Sequence, residues 1–223
     1  MNHCDRFPFL GCSLPAGERL VVIGAGGHAR VLISAIQQAG ATVSGVYDDD
    51  PAKWGREVLQ VPVLGAIREL QDAKIHVWVI GVGDNVTRRQ IAARFPSAEW
   101  LTVIHPQAYV HESASLGPGT VVFAGAVVQP GVRIGRHCII NTGATVDHDC
   151  VVGDFCHVAP GCNLGGSVTL AEGVFMGIGS VAIQSVVVGA WTTVGAGAAV
   201  VTDLPDHVLA VGVPARVRRK LDH

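Results

Sequence analysis

The chain has 223 residues, of which 49% are hydrophobic and 15% are charged, and its formal net charge at pH 7 is −2. This length accommodates one large domain or two small ones, and so small a net charge gives no indication of a nucleic-acid partner. No membrane partner is predicted either, because the start of the chain lacks the pattern of a signal peptide and glycines interrupt the apolar run over residues 186–201.

The six cysteines do not have the spacing of a disulfide framework. No CxxC pair occurs in the chain, so no metal ion is expected. Cys138, Cys150, Cys156 and Cys162 recur at a small-residue position of the repeat described below, where they are expected to fill an interior wall. Free thiols are typical of a reducing compartment, which favours a cytoplasmic location.

The first half of the chain alternates between strand and helix patterns. Residues 1–18 form an irregular lead-in, and residues 19–103 are expected to form one α/β domain with a parallel sheet. Its predicted strands are 19–23, 43–47, 75–83 and 99–106, with a loop and a short strand over 54–63. Its predicted helices are 31–39, 66–72 and 87–95, the last of them capped by Asp84-Asn85.

A glycine turn, Gly24-x-Gly26-x-x-Ala29, joins the first strand to the first helix. Its backbone N–H groups and the helix N-terminus favour a phosphate, and Asp48 lies at the end of the second strand, where a carboxylate can reach ribose or sugar hydroxyls. The spacing permits a dinucleotide site, but a domain of about four strands is short for that fold and suits a mononucleotide-type ligand better. A glycine needed only for a tight turn is the structural alternative.

Residues 104–205 keep a frame of six residues without interruption. Large aliphatic residues occupy the first position and small residues the fifth, and the frequent glycines are expected to take backbone angles that other residues avoid. Neither a helix nor an exposed strand has this period, whereas a fixed short period indicates one unit stacked on itself. Each six is therefore predicted to form one strand and one turn of a parallel β-helix, with three sixes in each triangular coil.

His148 is the third residue of its six, which places it on the exterior of the coil near a corner. Acyl transfer from a thioester needs a base whose pKa lies near 7, and histidine is the side chain that has such a pKa. Asp149 could fix the imidazole tautomer, and a backbone N–H could stabilise the oxyanion. A solvated surface histidine is the alternative, but the His-Asp pair with His157 nearby favours a catalytic role.

Four segments form a joint pattern: GAGGHAR after the first strand, YDDD after the second, VGDN after the third, and VDHDCVVGDFCHVAPGCNLGG within the repeats. This pattern resembles the sugar O-acyltransferase family of hexapeptide-repeat acetyltransferases, which includes sialic acid O-acetyltransferases and the nucleotide-sugar N-acetyltransferases of the bacillosamine route. The resemblance covers roughly residues 19–218. It implies a Rossmann-like nucleotide-sugar-binding domain over 19–103 and a left-handed parallel β-helix over 104–205.

The resemblance also implies a role for particular residues. It implies that His148 is the catalytic base and that Asp149 is its acidic neighbour. It further implies acetyl-CoA contacts at His157, Ile178 and Ala196, a polar group near the acceptor at Asn141, and nucleotide-sugar contacts at Gly26, Gly27, His28, Asp48, Asp49 and Gly83. Acetyl-CoA would be the co-substrate, a nucleotide-activated amino sugar the acceptor, and a homotrimer the assembly, with each active site between two coils.

Several functions remain open at this point. The first is N-acetylation of the 4-amino group of a nucleotide-linked sugar, and the second is O-acetylation of sialic acid or another sugar hydroxyl. A non-catalytic nucleotide-binding module needs no base such as His148, and an NAD-dependent enzyme leaves the repeats without a role. Residues 206–223, with basic residues from Arg216 to Lys220, are expected to form a C-terminal tail.

Overall fold

The computed structural model describes residues 19–71 and 77–222. The predicted lead-in over residues 1–18 lies outside the described residues, as do the first two residues of the predicted strand 75–83 and the last residue of the predicted helix 66–72. The chain divides into two compact units, Met1–Pro106 and Gln107–His223.

The first unit is built around a five-stranded sheet with the order β3-β4-β2-β1-β5. Strands β1, β2, β4 and β5 are parallel, and β3 pairs antiparallel with β4. Strands β1 and β5 are buried along their whole length, which explains their continuous Val, Leu and Ile residues. The elements of this unit are β1 (Leu20–Ile23), α1 (Gly27–Gln38), β2 (Gly45–Tyr47), β3 (Glu57–Val58), β4 (Val61–Gly65), β5 (Val77–Ile80), α2 (Asn85–Arg94) and β6 (Val103–Ile104).

The helices of the first unit differ by a few residues from their predicted bounds. Helix α1 begins at Gly27, on the glycine turn itself, so that the turn and the helix N-terminus are one feature. The short helix predicted over 66–72 is present as a 3-10 helix over Ile67–Gln71. The predicted cap of α2 is confirmed, since Asp84 Oδ1 accepts a hydrogen bond of 2.8 Å from the N–H of Thr87.

The second unit is a left-handed parallel β-helix, as expected. One short strand occurs in every six residues, and strands eighteen residues apart pair in parallel, as Tyr109 with Val127 and Val127 with Thr145. The strands are β7 (Tyr109–Val110), β8 (Ser115–Leu116), β9 (Val121–Val122), β10 (Val127–Val128), β11 (Arg133–Ile134), β12 (Ile139–Ile140), β13 (Thr145–Val146), β14 (Val151–Val152), β15 (His157–Val158), β16 (Asn163–Leu164), β17 (Thr169–Leu170), β18 (Phe175–Met176), β19 (Val181–Ala182), β20 (Val187–Val188), β21 (Thr193–Val194) and β22 (Ala199–Val200).

These strands form the three walls of the coil. The first sheet has the order β22-β19-β16-β13-β10-β7, and the second has the order β20-β17-β14-β11-β8. The third sheet contains β21-β18-β15-β12-β9, again in spatial order. Each residue at the first position of a six points inward, so that Val128, Ile140 and Val158 are fully buried. The four cysteines are free and fully buried at the fifth position, which confirms their role as wall fillers.

The glycines of the repeat serve two different purposes. Left-handed backbone angles occur at the fourth position, for example at Gly119, where φ is 75°. The second-position glycines do not have these angles. An added methyl group at Gly117 would instead collide with the backbone of Gly135 and Arg136 in the next coil, so close stacking explains these glycines.

The C-terminal segment, for which the sequence indicated only a tail, forms two strands. Strand β23 (Val208–Val211) pairs in parallel with β21 at the end of the third sheet, and β24 (Arg216–Lys220) pairs antiparallel with β23. The helices in the described residues are all too short or too polar to cross a membrane. The described part of the chain also lacks a group of three or more His, Cys, Asp or Glu residues that could hold a metal ion.

Candidate active site and a cavity in the first unit

The His148–Asp149 pair lies at a corner of the coil, in the turn between β13 and β14. His148 Nδ1 and Asp149 Oδ2 are 2.9 Å apart, and both side chains are more than half exposed. Asp149 occupies the fourth position, where glycine is the commonest residue of the repeat, and its φ of 59° is a left-handed angle that Asp tolerates better than most residues. This backbone angle directs the carboxylate back towards the imidazole of the preceding residue.

The surroundings of His148 favour the protonated imidazole. The hydrogen bond to Asp149, together with the charge of Asp147, raises the pKa of His148 above its ordinary value. Because Nδ1 contacts the carboxylate, it carries the proton in the neutral form, and Nε2 is then the basic nitrogen. The geometry therefore supplies a histidine base with a defined tautomer.

Gly166 lies directly beside this imidazole, one coil further along the chain. Ser167 N–H donates a hydrogen bond of 2.8 Å to the carbonyl oxygen of His148, which stacks the two turns. A methyl group added at Gly166 would lie 2.5 Å from Nε2 and 2.6 Å from Cε1 of His148. The missing side chain of Gly166 therefore provides the space that the ring occupies.

A second group of candidate residues lies at a different corner, between the third and first sheets. Asn141 Nδ2 lies 3.0 Å from His157 Nε2, while Asn141 Oδ1 accepts a hydrogen bond from the N–H of Thr142. An amide NH2 group only donates, so His157 Nε2 accepts this hydrogen bond. His157 is 8% exposed and packs edge-on against Phe175, with ring centroids 5.1 Å apart.

Ile178 and Ala196 belong to the same corner, eighteen residues apart on successive coils. We call the corner that carries Ile178 and Ala196 the Ile178 edge, and the corner that carries His148 and Gly166 the His148 edge. The structure thus brings Asn141, Ile178 and Ala196 to one edge, but it does not bring them to His148 within one chain. The first sheet separates the two edges.

A groove of about 420 Å³ lies on the outer face of the first sheet and extends to the His148 edge. Asp147 and Gly165, the neighbours of His148 and Gly166, form its border on that side. Thr145 and Asn163 lie on its floor, where Thr145 Oγ1 donates a hydrogen bond of 2.8 Å to Asn163 Oδ1. A molecule in this groove would lie beside the His148–Asp149 pair.

The first unit contains a cavity of its own, of about 360 Å³, at the carboxyl ends of β1, β2 and β5. Strand β1 lies between β2 and β5, so the strand order reverses at this point, and parallel sheets bind ligands at such reversals. A small-molecule site of this size is typical of proteins. The residues that line it are Gly24, Asp48, Asp49, Ile67, Val82, Thr87, Gln90, Ile91 and Arg94.

Asp48 lines this cavity, but its carboxylate is already held by the protein. Oδ2 accepts hydrogen bonds from the N–H of Ala25 at 2.7 Å and from Lys53 Nζ at 2.9 Å, and Oδ1 accepts one from Asp50 N–H at 2.9 Å. Burial alone would raise the pKa of Asp48, but these hydrogen bonds lower it below its ordinary value. The charged carboxylate therefore ties the glycine turn to the loop after β2.

Asp49 and Gly83 are also fixed by neighbouring groups. Asp49 Oδ1 accepts a hydrogen bond of 2.9 Å from Ile67 N–H, and its Oδ2 forms an ion pair of 3.1 Å with Arg94. The carbonyl oxygen of Gly83 accepts a hydrogen bond of 3.1 Å from Arg88, whose guanidinium is buried and also contacts Asn85 Oδ1 at 2.8 Å. The loop after β5 is thus held in place from within.

Gly26 and Gly27 lie at the start of α1, with exposed backbone and open space where a methyl group would be. This arrangement leaves room for a phosphate to approach the helix N-terminus. Burial, followed by the charge of Arg88, lowers the pKa of His28 to about 4. His28 is therefore neutral at pH 7 and would contact a phosphate through hydrogen bonding rather than through charge.

The sequence analysis did not identify several residues of these sites. Gly166 has a signal in the sequence, because no other six between 104 and 205 has glycine at its third position. Thr87, Gln90 and Arg94 line the cavity of the first unit at the spacing of one helix face. Arg88 gave no signal, since a buried arginine in a polar helix looks like a solvated one in sequence.

A left-handed coil of hexapeptides with an exposed His–Asp pair defines a hexapeptide-repeat acyltransferase. Comparisons with known proteins agree with this class. The model of the PglD N-terminal domain matches residues 19–95, and the model of the bacterial transferase hexapeptide (six repeats) matches residues 113–148.

Two solved structures are similar along nearly the whole chain. One is a histidine-to-asparagine variant of perosamine N-acetyltransferase from Caulobacter crescentus in complex with CoA and GDP-perosamine. It is 41% identical with a TM-score of 0.86, over 92% of this chain and 99% of that chain. The other is the acetyltransferase domain of PglB from Neisseria gonorrhoeae FA1090 in complex with acetyl coenzyme A. It is 38% identical with a TM-score of 0.84, over 91% of this chain and 100% of that chain.

A curated relative is the UDP-N-acetylbacillosamine N-acetyltransferase of Bacillus subtilis (strain 168). It is 40% identical over 113 residues, which are 48% of this chain and 52% of the relative. The chain spans about half the length, or less, of the curated relatives that it matches. With the two solved structures covered almost completely, the chain belongs to the hexapeptide-repeat sugar N-acetyltransferases with a PglD-type N-terminal domain, which confirms the resemblance in its sequence.

Proposed function

We propose that the protein transfers an acetyl group from acetyl-CoA to the 4-amino group of a nucleotide-linked amino sugar, in the cytoplasm, for bacterial glycan biosynthesis. The observation that carries this proposal is the exposed pair of His148 Nδ1 and Asp149 Oδ2 at 2.9 Å, which leaves Nε2 as the base. Relatives that bind CoA together with GDP-perosamine support the choice of both substrates. The buried free thiols agree with a reducing compartment.

The reaction follows from this geometry. The sugar amine attacks the carbonyl carbon of the thioester, and His148 Nε2 takes the proton that the nitrogen loses. The tetrahedral intermediate then collapses, the C–S bond breaks, and the imidazolium returns the proton to the leaving sulfur of CoA. Asp149 stabilises the imidazolium and holds its tautomer, and a base placed in this way contributes about 10²–10⁴ to the rate.

The acceptor would be held by the nucleotide cavity of the first unit. The N-terminus of α1, with Gly26, Gly27 and His28, offers N–H donors for the diphosphate. Asp49 and Gly83 lie where the nucleoside would be bound, and Asp48 acts by holding the glycine turn in place. O-acetylation of sialic acid is the second candidate function, because the His–Asp base would serve a hydroxyl as well as an amine.

The deciding experiment measures thiol release from acetyl-CoA with a panel of UDP- and GDP-linked 4-amino sugars and with free sialic acid. Fast turnover on one nucleotide-linked amino sugar is the expected result, and it would identify the nucleobase and the sugar of the acceptor. Turnover on sialic acid alone would assign the protein to O-acetylation. Absence of turnover on every acceptor, with nucleotide-sugar binding retained, would favour a binding module.

A homotrimer explains why the candidate residues lie on two edges of the coil. In a closed ring of identical subunits, each subunit presents two different surfaces to its two neighbours. We place the His148 edge of one copy against the Ile178 edge of the next, so that His148 and Asp149 of one copy face the residues Asn141, Ile178 and Ala196 of the other. The groove on the first sheet would then be bounded by two chains.

Complementation between two inactive variants tests the shared site. His148→Ala lacks the base, and Ile178→Glu introduces a charge at a residue that is 62% exposed, so folding should be preserved. Each variant alone should be inactive. In trimers assembled from an equal mixture, about a quarter of the sites should be active, because a site needs an unchanged His148 edge from one copy and an unchanged Ile178 edge from the next, and each edge is unchanged in half of the copies. An active monomer, or mixed trimers without activity, would contradict the shared site.

A further inference from the structure

One row of side chains crosses the outside of the third sheet from the middle of the coil to its C-terminal end. Strand register aligns His157, Phe175, Thr193, Leu209 and Arg219 in consecutive strands. Side chains at paired positions lie on the same side of a sheet. Because neighbouring strands lie about 4.8 Å apart, the row spans roughly 19 Å from His157 to Arg219.

The end of this row is strongly cationic. Arg216, Arg218, Arg219 and Lys220 are all exposed on β24, and the described residues form no ion pair with any of them. Like charges so close together repel one another, and a bound anion would relieve that repulsion. The overall charge of −2 makes this strand an exception on the molecule.

The two sides of β24 carry different cations. Arg216 pairs with Val211 and Arg219 with Leu209, both on the outer side of the third sheet. Lys220 pairs with Val208, whose side chain is buried, so Lys220 leaves the strand on the opposite side. Only Arg216 and Arg219 therefore belong to the outer row that begins at His157.

We propose that Arg216 and Arg219 bind the phosphate groups at the nucleotide end of acetyl-CoA. This inference rests on the proposed function and on the acetyl-CoA contact at His157 that the family resemblance implies, with His157 towards the acetyl end of the molecule. Between the two ends, Phe175 and Leu209 offer apolar contacts to the pantetheine arm, and Thr193 offers a hydroxyl to its amide groups. The planar guanidinium of arginine matches phosphate oxygens in a bidentate manner, and two such groups on one side of a strand form a phosphate site.

Direct binding to the full chain tests this assignment without relying on turnover. The ligands are CoA, dephospho-CoA and pantetheine, measured by calorimetry with wild type, Arg219→Gln and the control Lys220→Gln. Arg219→Gln should weaken CoA binding by about tenfold, the usual cost of one lost charge-assisted hydrogen bond, and leave pantetheine unchanged. Lys220→Gln should change CoA binding by less than about twofold at 0.15 M salt, because charges beyond about 8 Å are screened.

The three ligands also show which phosphate group Arg219 contacts, and they distinguish failure of this inference from failure of the proposed function. Equal weakening of CoA and dephospho-CoA assigns Arg219 to the diphosphate, whereas weakening of CoA alone assigns it to the 3′-phosphate. Equal CoA affinity in wild type and Arg219→Gln overturns this inference and leaves the proposed function intact. The same conclusion follows if Arg219→Gln weakens the binding of pantetheine as much as the binding of CoA. Failure of wild type to bind CoA overturns both.

Discussion

Replacement of His148 by alanine is expected to lower kcat for acetyl transfer by about 10²–10⁴ while the protein remains folded. The side chain is more than half exposed at a corner of the coil, so its loss leaves no cavity in the core. Thiol release on the accepted nucleotide sugar measures the effect. His111→Ala is the matched control, since His111 also lies in the coil, where its Nδ1 is 2.9 Å from Ser113 Oγ and its ring packs against Tyr109.

The pH dependence of this reaction follows from the same contact. A general base acts in its neutral form, so kcat/KM should rise with pH through the pKa of His148 and level off above it. Because Asp149 raises that pKa, the midpoint should lie above the ordinary value for histidine. Asp149→Asn should therefore move the midpoint to lower pH, and an unchanged midpoint would show that Asp149 does not act on the imidazole in solution.

The β-helix could be predicted from sequence because every six residues repeat the same pattern of large and small side chains. Strand positions, the inward first position and the small fifth position are local properties that a period of six makes visible. The six-residue frame also shows on which corner of the coil each candidate site residue lies. His148 and Gly166 differ by one coil of eighteen residues, and so do Ile178 and Ala196, whereas His148 and Ile178 do not lie a whole number of coils apart.

The first unit could be predicted less completely, because its turns and contacts depend on distant residues. Strands β3 and β4 are joined by Leu59 and Gln60, with φ of 49° and 66°, although such turns normally have Asn or Gly. The partners of the Asp48 carboxylate include Ala25, which lies 23 residues earlier in the chain. The sequence placed Asp48 at the correct end of its strand, but its partners depend on tertiary packing.

The missing side chain of Gly166 leaves the space that the His148 imidazole occupies, so we expect Gly166→Ala to lower the rate strongly. A methyl group at 2.5 Å from Nε2 would displace the imidazole of His148 from its place beside Asp149. A displacement of about 1 Å in a catalytic group can cost about 10² in rate, so kcat should fall by that order. Gln184→Ala places an alanine at the third position one coil further along the same edge, where the side chain is exposed, and it should leave kcat within about twofold of wild type.

The double variant distinguishes an effect on the ring from damage to the coil. If Gly166→Ala acts only through His148, then adding it to His148→Ala should cost nothing further, because the group on which it acts is already absent. The single variant should also shift the pH midpoint downwards, as the displaced imidazole loses its hydrogen bond to Asp149. An additional loss of about 10² in the double variant, or a lowered melting temperature of the coil, would instead assign Gly166 to the packing of the repeat. Because the ring and the glycine lie on successive turns joined by Ser167 N–H and the His148 carbonyl, the stacking of the coil itself would then be what holds the base in position.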